Sequence, residues 1–256
     1  MEFIDTHSHL YDEAFTSEED LAVARAIEAG VTRMILPDID STSRDAMFAL
    51  AERHPGVLFP TLGLHPTSVG ANWKEEMDAL EQVLPNHRIW AIGETGIDCY
   101  WSKEFLEQQK EVFRLQLEMA HKADLPVIIH SRESTELIIK ILKDNRNLDL
   151  RGVFHAYSGS AETYRELQKL GDWYIGIGGV LTYKKASIAE TVKDIPLERI
   201  ILETDSPYLT PVPHRGKRNE SSYIPHIAEK LAFQKGVSIE EVATITTAHA
   251  KRLFML

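Results

Sequence analysis

Cysteine is almost missing from this chain of 256 residues: Cys99 stands alone, so no intrachain disulfide can form. A cytoplasmic, reducing home is the simple expectation, with Cys99 a buried spectator. No apolar run is long enough to span a bilayer, and the first residues lack the basic-then-apolar layout of a signal peptide. No membrane contact is expected, and nothing points to an obligate protein partner. Positive charge is scarce: 28 Lys and Arg against 39 Asp and Glu leave a formal net charge of -11. Such a chain lacks the basic face that a general nucleic-acid coat needs. Any phosphate it binds must be held locally, by metal ions or a few arginines. Linkers, low-complexity tracts and charge blocks are also missing, so one domain over 1–256 is expected. No Gly-rich dinucleotide loop follows the first apolar run, which argues against an open doubly wound sheet.

What is present is alternation. Apolar, strand-like runs lie at Phe3–Asp5, Val31–Leu36, Val57–Leu64, Ile89–Ile92, Val127–Ile129, Gly152–Phe154, Tyr174–Ile177 and Ile200–Leu202. Helical patterns separate them, near Glu18–Ala29, Thr42–His54, Glu75–Leu84, Lys103–Ala123, Ser134–Asn145, Glu162–Leu170 and Ser187–Lys193. Two more follow, at Pro225–Gln234 and Ile239–Phe254. The strands are short and apolar, as strands buried on both faces should be. About eight strand–helix units predict a parallel sheet closed into a (β/α)8 TIM barrel.

The chemistry sits where these apolar runs stop. Asp5-Thr6-His7-Ser8-His9 ends the first run. In an extended chain His7 and His9 point the same way, which makes half of a metal site. His65, Glu94, His130, His155 and Asp205 end later runs. A barrel gathers all strand ends on one rim, so these residues converge. Imidazoles with carboxylates suit divalent ions such as zinc, manganese or magnesium. The expected site holds two ions bridged by Glu94, with His7, His9 and Asp205 on one and His130 and His155 on the other. Asp205 is expected to take the proton of the attacking water.

Four residues are expected to contact substrate. His65 suits a phosphate contact better than a ligand role. Arg215 and Arg218 lie in the basic loop Pro211–Arg218 soon after Asp205, and arginine is shaped for phosphate. Arg132 adds to this pocket or pairs with the adjacent helix. Glu203 orients a histidine or is a buried structural carboxylate. If the substrate is a nucleic acid, a compact rim site on an acidic protein should hold little of its length and attack ends of single-stranded or frayed substrate, with a shallow salt dependence.

The ordered motifs extend this reading. Asp5–Leu10, Gly63–Pro66, Gly93–Asp98, Pro126–Arg132, His155–Gly159, Leu202–Leu209 and Arg215–Glu220 run nearly the length of the chain. In this set the chain resembles the TatD-type metal-dependent deoxyribonucleases, a branch of the amidohydrolase-like TIM barrels. The resemblance implies a (β/α)8 fold and metal ligation by His7, His9, Glu94, His130, His155 and Asp205. It also implies phosphodiester hydrolysis, typically exonucleolytic on DNA, with 3'-5' polarity expected. Ala156-Tyr157 stands where Cys-Phe is common, and Ser221 where Pro is common. Neither departure touches an expected ligand. The rival activities are a small-molecule phosphodiesterase and a cyclic amide or lactone hydrolase on the same barrel; many of the latter bridge their metals through a carboxylated lysine, where this chain has Glu94.

Overall fold

Phe3 and Ile4 are buried together, as an apolar dipeptide between two neighbouring strands must be. In the computed structural model, which describes residues 1–256, they belong to β1 (Phe3–Asp5). β2 (Val31–Leu36) and β3 (Leu58–Pro60) follow in parallel, in the order β1-β2-β3. A second arc, also parallel, holds β4 (Ile92–Asp98), β5 (Val127–Arg132), β6 (Arg151–Phe154), β7 (Asp172–Ile177) and β8 (Ile200–Leu202).

Two seams join the arcs into the TIM barrel that the alternation predicts. Between β3 and β4, Gly93 N–H donates to Leu62 O at 2.9 Å and Trp90 N–H to Pro60 O at 3.1 Å. Between β8 and β1, Thr6 N–H donates to Leu202 O at 3.0 Å and Asp205 N–H to His7 O at 2.9 Å. Both seams lie beside expected site residues.

Helices cover the outside: α1 (Glu19–Glu28), α2 (Ser41–Arg53), α3 (Trp73–Val83), α4 (Leu106–Ala123), α5 (Thr135–Asp144), α6 (Ala161–Leu167), α7 (Ile188–Thr191), α8 (Ile224–Lys235) and α9 (Ile239–Phe254). The large core cluster lies between this layer and the strands. A second cluster fills the barrel itself. Ile4, Ile35, Phe59, Ala91, Ile128, Val153, Tyr174 and Ile201 supply one residue from each strand or its lead-in. Ala250, Leu253 and Phe254 of α9 pack against that ring. Ser238 caps α9 by accepting from Glu241 N–H at 3.1 Å. The C-terminal helix therefore closes one mouth of the barrel, and the chemistry is left to the other.

Two strand boundaries differ from the sequence reading in ways that matter. The fourth strand was expected at Ile89–Ile92 with Glu94 beyond its end, but β4 runs from Ile92 to Asp98 and Glu94 lies inside it. The glycines permit this. A Cβ at Gly93 would lie 2.7 Å from Ile128 Cβ, and one at Gly96 would lie 2.0 Å from the His130 carbonyl. Only glycine lets these backbones approach, so a stretch that reads as a turn is a strand. Likewise β5 continues past Ile129 through His130 to Arg132. The expected helix at Ser187–Lys193 is a single α turn continued by a 3-10 turn, Val192–Asp194.

Candidate metal centre

Glu94 is 2 % exposed and lies at the centre of the open mouth. Its Oε2 is 3.1 Å from His7 Nε2 and 3.8 Å from His9 Nε2. Those two nitrogens are 3.1 Å apart, and each is 3.7 Å from Asp205 Oδ1. Four ligands at metal–nitrogen distances of ~2.0–2.1 Å in a tetrahedron stand roughly 3.3–3.4 Å apart. The donor atoms of His7, His9 and Glu94 lie close enough together for one divalent ion, with Asp205 Oδ1 beside the two histidines.

The other oxygen of Glu94 faces a different group. Oε1 is 2.9 Å from His130 Nδ1, 3.3 Å from His65 Nε2 and 3.7 Å from His155 Nε2. His155 Nε2 is also 3.8 Å from Asp205 Oδ1. One carboxylate thus serves two sets of imidazoles.

Neighbouring groups decide which ring nitrogen is free. Tyr11 Oη donates to the Pro37 carbonyl, so it can only accept from His9 Nδ1, 3.0 Å away. That leaves His9 Nε2 as a lone pair aimed at the site. Asp98 Oδ2 is 2.9 Å from His130 Nε2, which leaves His130 Nδ1 toward Glu94. Glu203 Oε1 accepts from Ala156 N–H at 2.6 Å and stands 3.2 Å from His155 Nδ1, which makes no hydrogen bond; the nearby carboxylate favours a proton on Nδ1 by charge, with Nε2 turned inward. His65 is the exception. Its Nδ1 accepts from Thr67 N–H at 3.2 Å, so the neutral ring carries its proton on Nε2. It meets the site as a donor. His7 stacks on His155 at 3.5 Å between centroids, and its Nδ1 is buried without a partner.

Buried polar side chains hold the strand ends in place. Asp5 Oδ1 accepts from His7 N–H at 3.2 Å and from Thr204 N–H at 2.9 Å, stapling the His7 segment to the segment before Asp205. Gln116 of α4 accepts from Leu64 N–H at 2.9 Å and donates to Thr95 Oγ1 at 2.6 Å. It ties the His65 loop to β4. At Asp205 the chain adopts φ +58°, a left-handed turn that aspartate tolerates better than most residues.

The electrostatics divide the groups. Burial pushes the His9 imidazole down to about 4, although Glu94 opposes it. Burial opposes charge on His155 too, but Glu203, Glu94 and Asp205 together lift it to about 10. Asp205 is raised to about 7, first by burial, with His155 pulling the other way. Asp98 is partly desolvated, yet His130 and the backbone N–H groups of Trp101 and Tyr100 hold its carboxyl at about 2. A divalent ion would favour the deprotonated form of every one of these groups.

The expected basic residues stand further out. The Arg132 guanidinium lies 3.9 Å over the Tyr100 ring and 5.3 Å from the Trp101 ring, not in an ion pair with the adjacent helix. Arg215 lies 4.1 Å over Tyr183. Arg218 Nη2 donates to Glu18 Oε2 and Nη1 to the Ala14 carbonyl, at 2.6 and 2.7 Å. Its donors are engaged within the protein, so contact with phosphate requires it to leave Glu18.

Sequence reasoning gave no role to Asp98, Tyr11 or Gln116. Asp98 was inside a quoted motif, and the signal that could have found it is parity. Glu94, Gly96 and Asp98 share one side of an extended β4.

A family model described as "TatD related DNase" matches residues 4–255. The metal-dependent hydrolase YabD of Bacillus subtilis is 38% identical over 253 residues, covering 98% of each chain. The metal-dependent hydrolase YcfH of Escherichia coli K12 is 32% identical over 258 residues, covering 99% of this chain and 96% of that one. Both carry "uncharacterized" in their names. The crystal structure of YjjV, a TatD homologue from Escherichia coli K12, superposes with a TM-score of 0.92 at 29% identity, covering 99% and 98% of the two chains.

Proposed function

We propose a phosphodiesterase reaction on DNA ends for this chain, which belongs to the TatD-related DNase family and is a metal-dependent hydrolase. The observation that carries the reading is the split of Glu94, whose Oε2 faces His7 and His9 while Oε1 faces His130 and His155. That split suits two divalent ions, zinc, manganese or magnesium, with His7, His9, Glu94 and Asp205 on one and Glu94, His130 and His155 on the other. Bound there, such ions supply Lewis-acid polarisation of water and of a phosphoryl oxygen.

The chain's own groups do the rest. Asp205 borders both donor sets and is the base that takes a proton from water. His65 presents its Nε2–H to the mouth and donates to a phosphoryl oxygen as negative charge builds there. Arg215 and Arg132 stand outside as cations for neighbouring phosphates, with Arg218 joining them once it leaves Glu18. The net negative charge confines binding to this rim, which favours frayed or single-stranded ends. The polarity proposed for the attack is 3'-5'.

The test is product mapping on oligonucleotides labelled at either end, with and without chelator. Stepwise loss of 3' nucleotides, abolished by chelation and restored by manganese or zinc, is the expected result. Hydrolysis of dihydropyrimidines or lactones with oligonucleotides left intact would assign the site to a cyclic amide or ester instead.

A further inference from the structure

A cavity of about 240 Å³ opens beside the metal centre, with Asp205 and Glu203 in its wall. At ~30 Å³ per water it has room for roughly eight waters, the scale of one heterocyclic ring and part of its sugar. One side is apolar, from Val180, Leu181, Ile188 and Leu209, while Ser158, Ser187 and Thr204 add hydroxyl groups to the rest. A flat ring that displaces water from the apolar side gains free energy there, which a phosphate does not. Lys185 borders the same cavity, is exposed, and has no carboxylate within ion-pair distance. Leu209 is 39% and its neighbour Tyr208 56% exposed, so apolar surface continues outward from the cavity.

We propose that this cavity is a base-binding subsite, which takes the nucleobase next to the scissile phosphate while Lys185 pairs with the following phosphate. The inference rests on the phosphodiester reading above and adds a place for the part of the substrate that does not react. A ring seated against Val180 and Leu181 lies next to Asp205, so binding the base holds its phosphate near the donor groups. The apolar side offers every base the same contact, so affinity should differ little among the four bases.

The test is calorimetric titration of the metal-loaded protein with dAMP, 2-deoxyribose 5-phosphate and inorganic phosphate. We expect dAMP to bind roughly tenfold tighter than 2-deoxyribose 5-phosphate. Val180→Trp fills the cavity and should remove that preference. Lys185→Ala lies on the surface and leaves the core intact; it should weaken a phosphorothioate dinucleotide severalfold more than dAMP. Equal binding of dAMP and 2-deoxyribose 5-phosphate would overturn the subsite. So would a preference for dAMP that survives in a folded Val180→Trp protein, or a dinucleotide unaffected by Lys185→Ala. Oligonucleotide hydrolysis by the unaltered protein is measured alongside. Cleavage without the dAMP preference sinks the subsite alone, and no cleavage of any phosphodiester sinks the reading beneath it.

Discussion

Asp98 Oδ2 stands 2.9 Å from Nε2 of His130, so the last residue of β4 fixes the orientation of a ring on β5. Asp98 Oδ1 is itself held by the backbone N–H groups of Tyr100 and Trp101, at 2.9 and 3.0 Å. Carboxylate, imidazole and metal in series is a recurrent way of fixing a ligand's tautomer. Asp98→Asn should keep the fold, measured by circular dichroism, and weaken metal binding about 10–100-fold. Unchanged affinity in a metal titration would show that His130 is oriented by something else.

Glu94→Ala removes the carboxylate common to both donor sets. The variant should lose bound metal altogether and drop at least ~10³-fold in phosphodiester turnover. Elemental analysis of the purified variant is the check, and full metal content would refute the bridge.

Metal uptake should release protons. With His155 raised to about 10 and Asp205 to about 7, His155 is protonated and Asp205 about half protonated at neutral pH in the chelated protein, and an ion must displace those protons. Apparent affinity should rise with pH, by up to about tenfold per unit for each proton displaced. For the chelated fold the His155 sign is opposite. Its folded value is raised above the ordinary 6.5, so its stabilisation is complete below that value and lost as pH rises toward 10. Titrations in buffers of different ionisation heat count the protons released. A count of zero at pH 7 would contradict this charge assignment.

Gly176→Ala tests the support under His155. A Cβ at Gly176 would stand 1.9 Å from Glu203 Oε2, so Glu203 must move. A loss of about 1–3 kcal/mol in a urea melt is expected from overpacking. Metal affinity should fall with it, because Glu203 Oε1 lies against His155 Nδ1.

Arg44 and Asp38 form a buried pair at 2.8 Å, and Asp38 Oδ2 also accepts from Gly63 N–H at 3.2 Å. Removing one partner leaves a buried charge alone. Arg44→Ala should therefore cost about 3–5 kcal/mol of stability, read as a shift in the denaturation midpoint.

Much of this was legible in the sequence because burial writes itself in apolar runs. β2 and α9 have the boundaries that their patterns suggest, and Phe3–Asp5 and Ile200–Leu202 are the strands they appear to be. The convergence of His7, His9, His155 and Asp205 follows from one rule, that strand ends of a barrel share a rim, while Glu94 and His130 reach the same mouth from within β4 and β5. β4 was misread because it is made of glycines and carboxylates, and its pairing is carried by backbone bonds with little apolar signal. The partner of Arg218 was not legible for another reason. A basic loop looks the same whether its arginine faces solvent or Glu18, and the partner lies 200 positions away in sequence. Asp98 and Gln116 were passed over because a buried polar residue shows its worth only through what it touches.

The seams between the two arcs have one further consequence. β1 meets β8, and β3 meets β4, through only a few backbone bonds each, and the metal-facing groups come from both sides of both joints. An ion held by His7 and Asp205 would fasten the first strand to the last, as a rivet closes a hoop. Loading should therefore slow amide exchange first at Thr6, Gly93 and Asp205, well before it is felt in the helices.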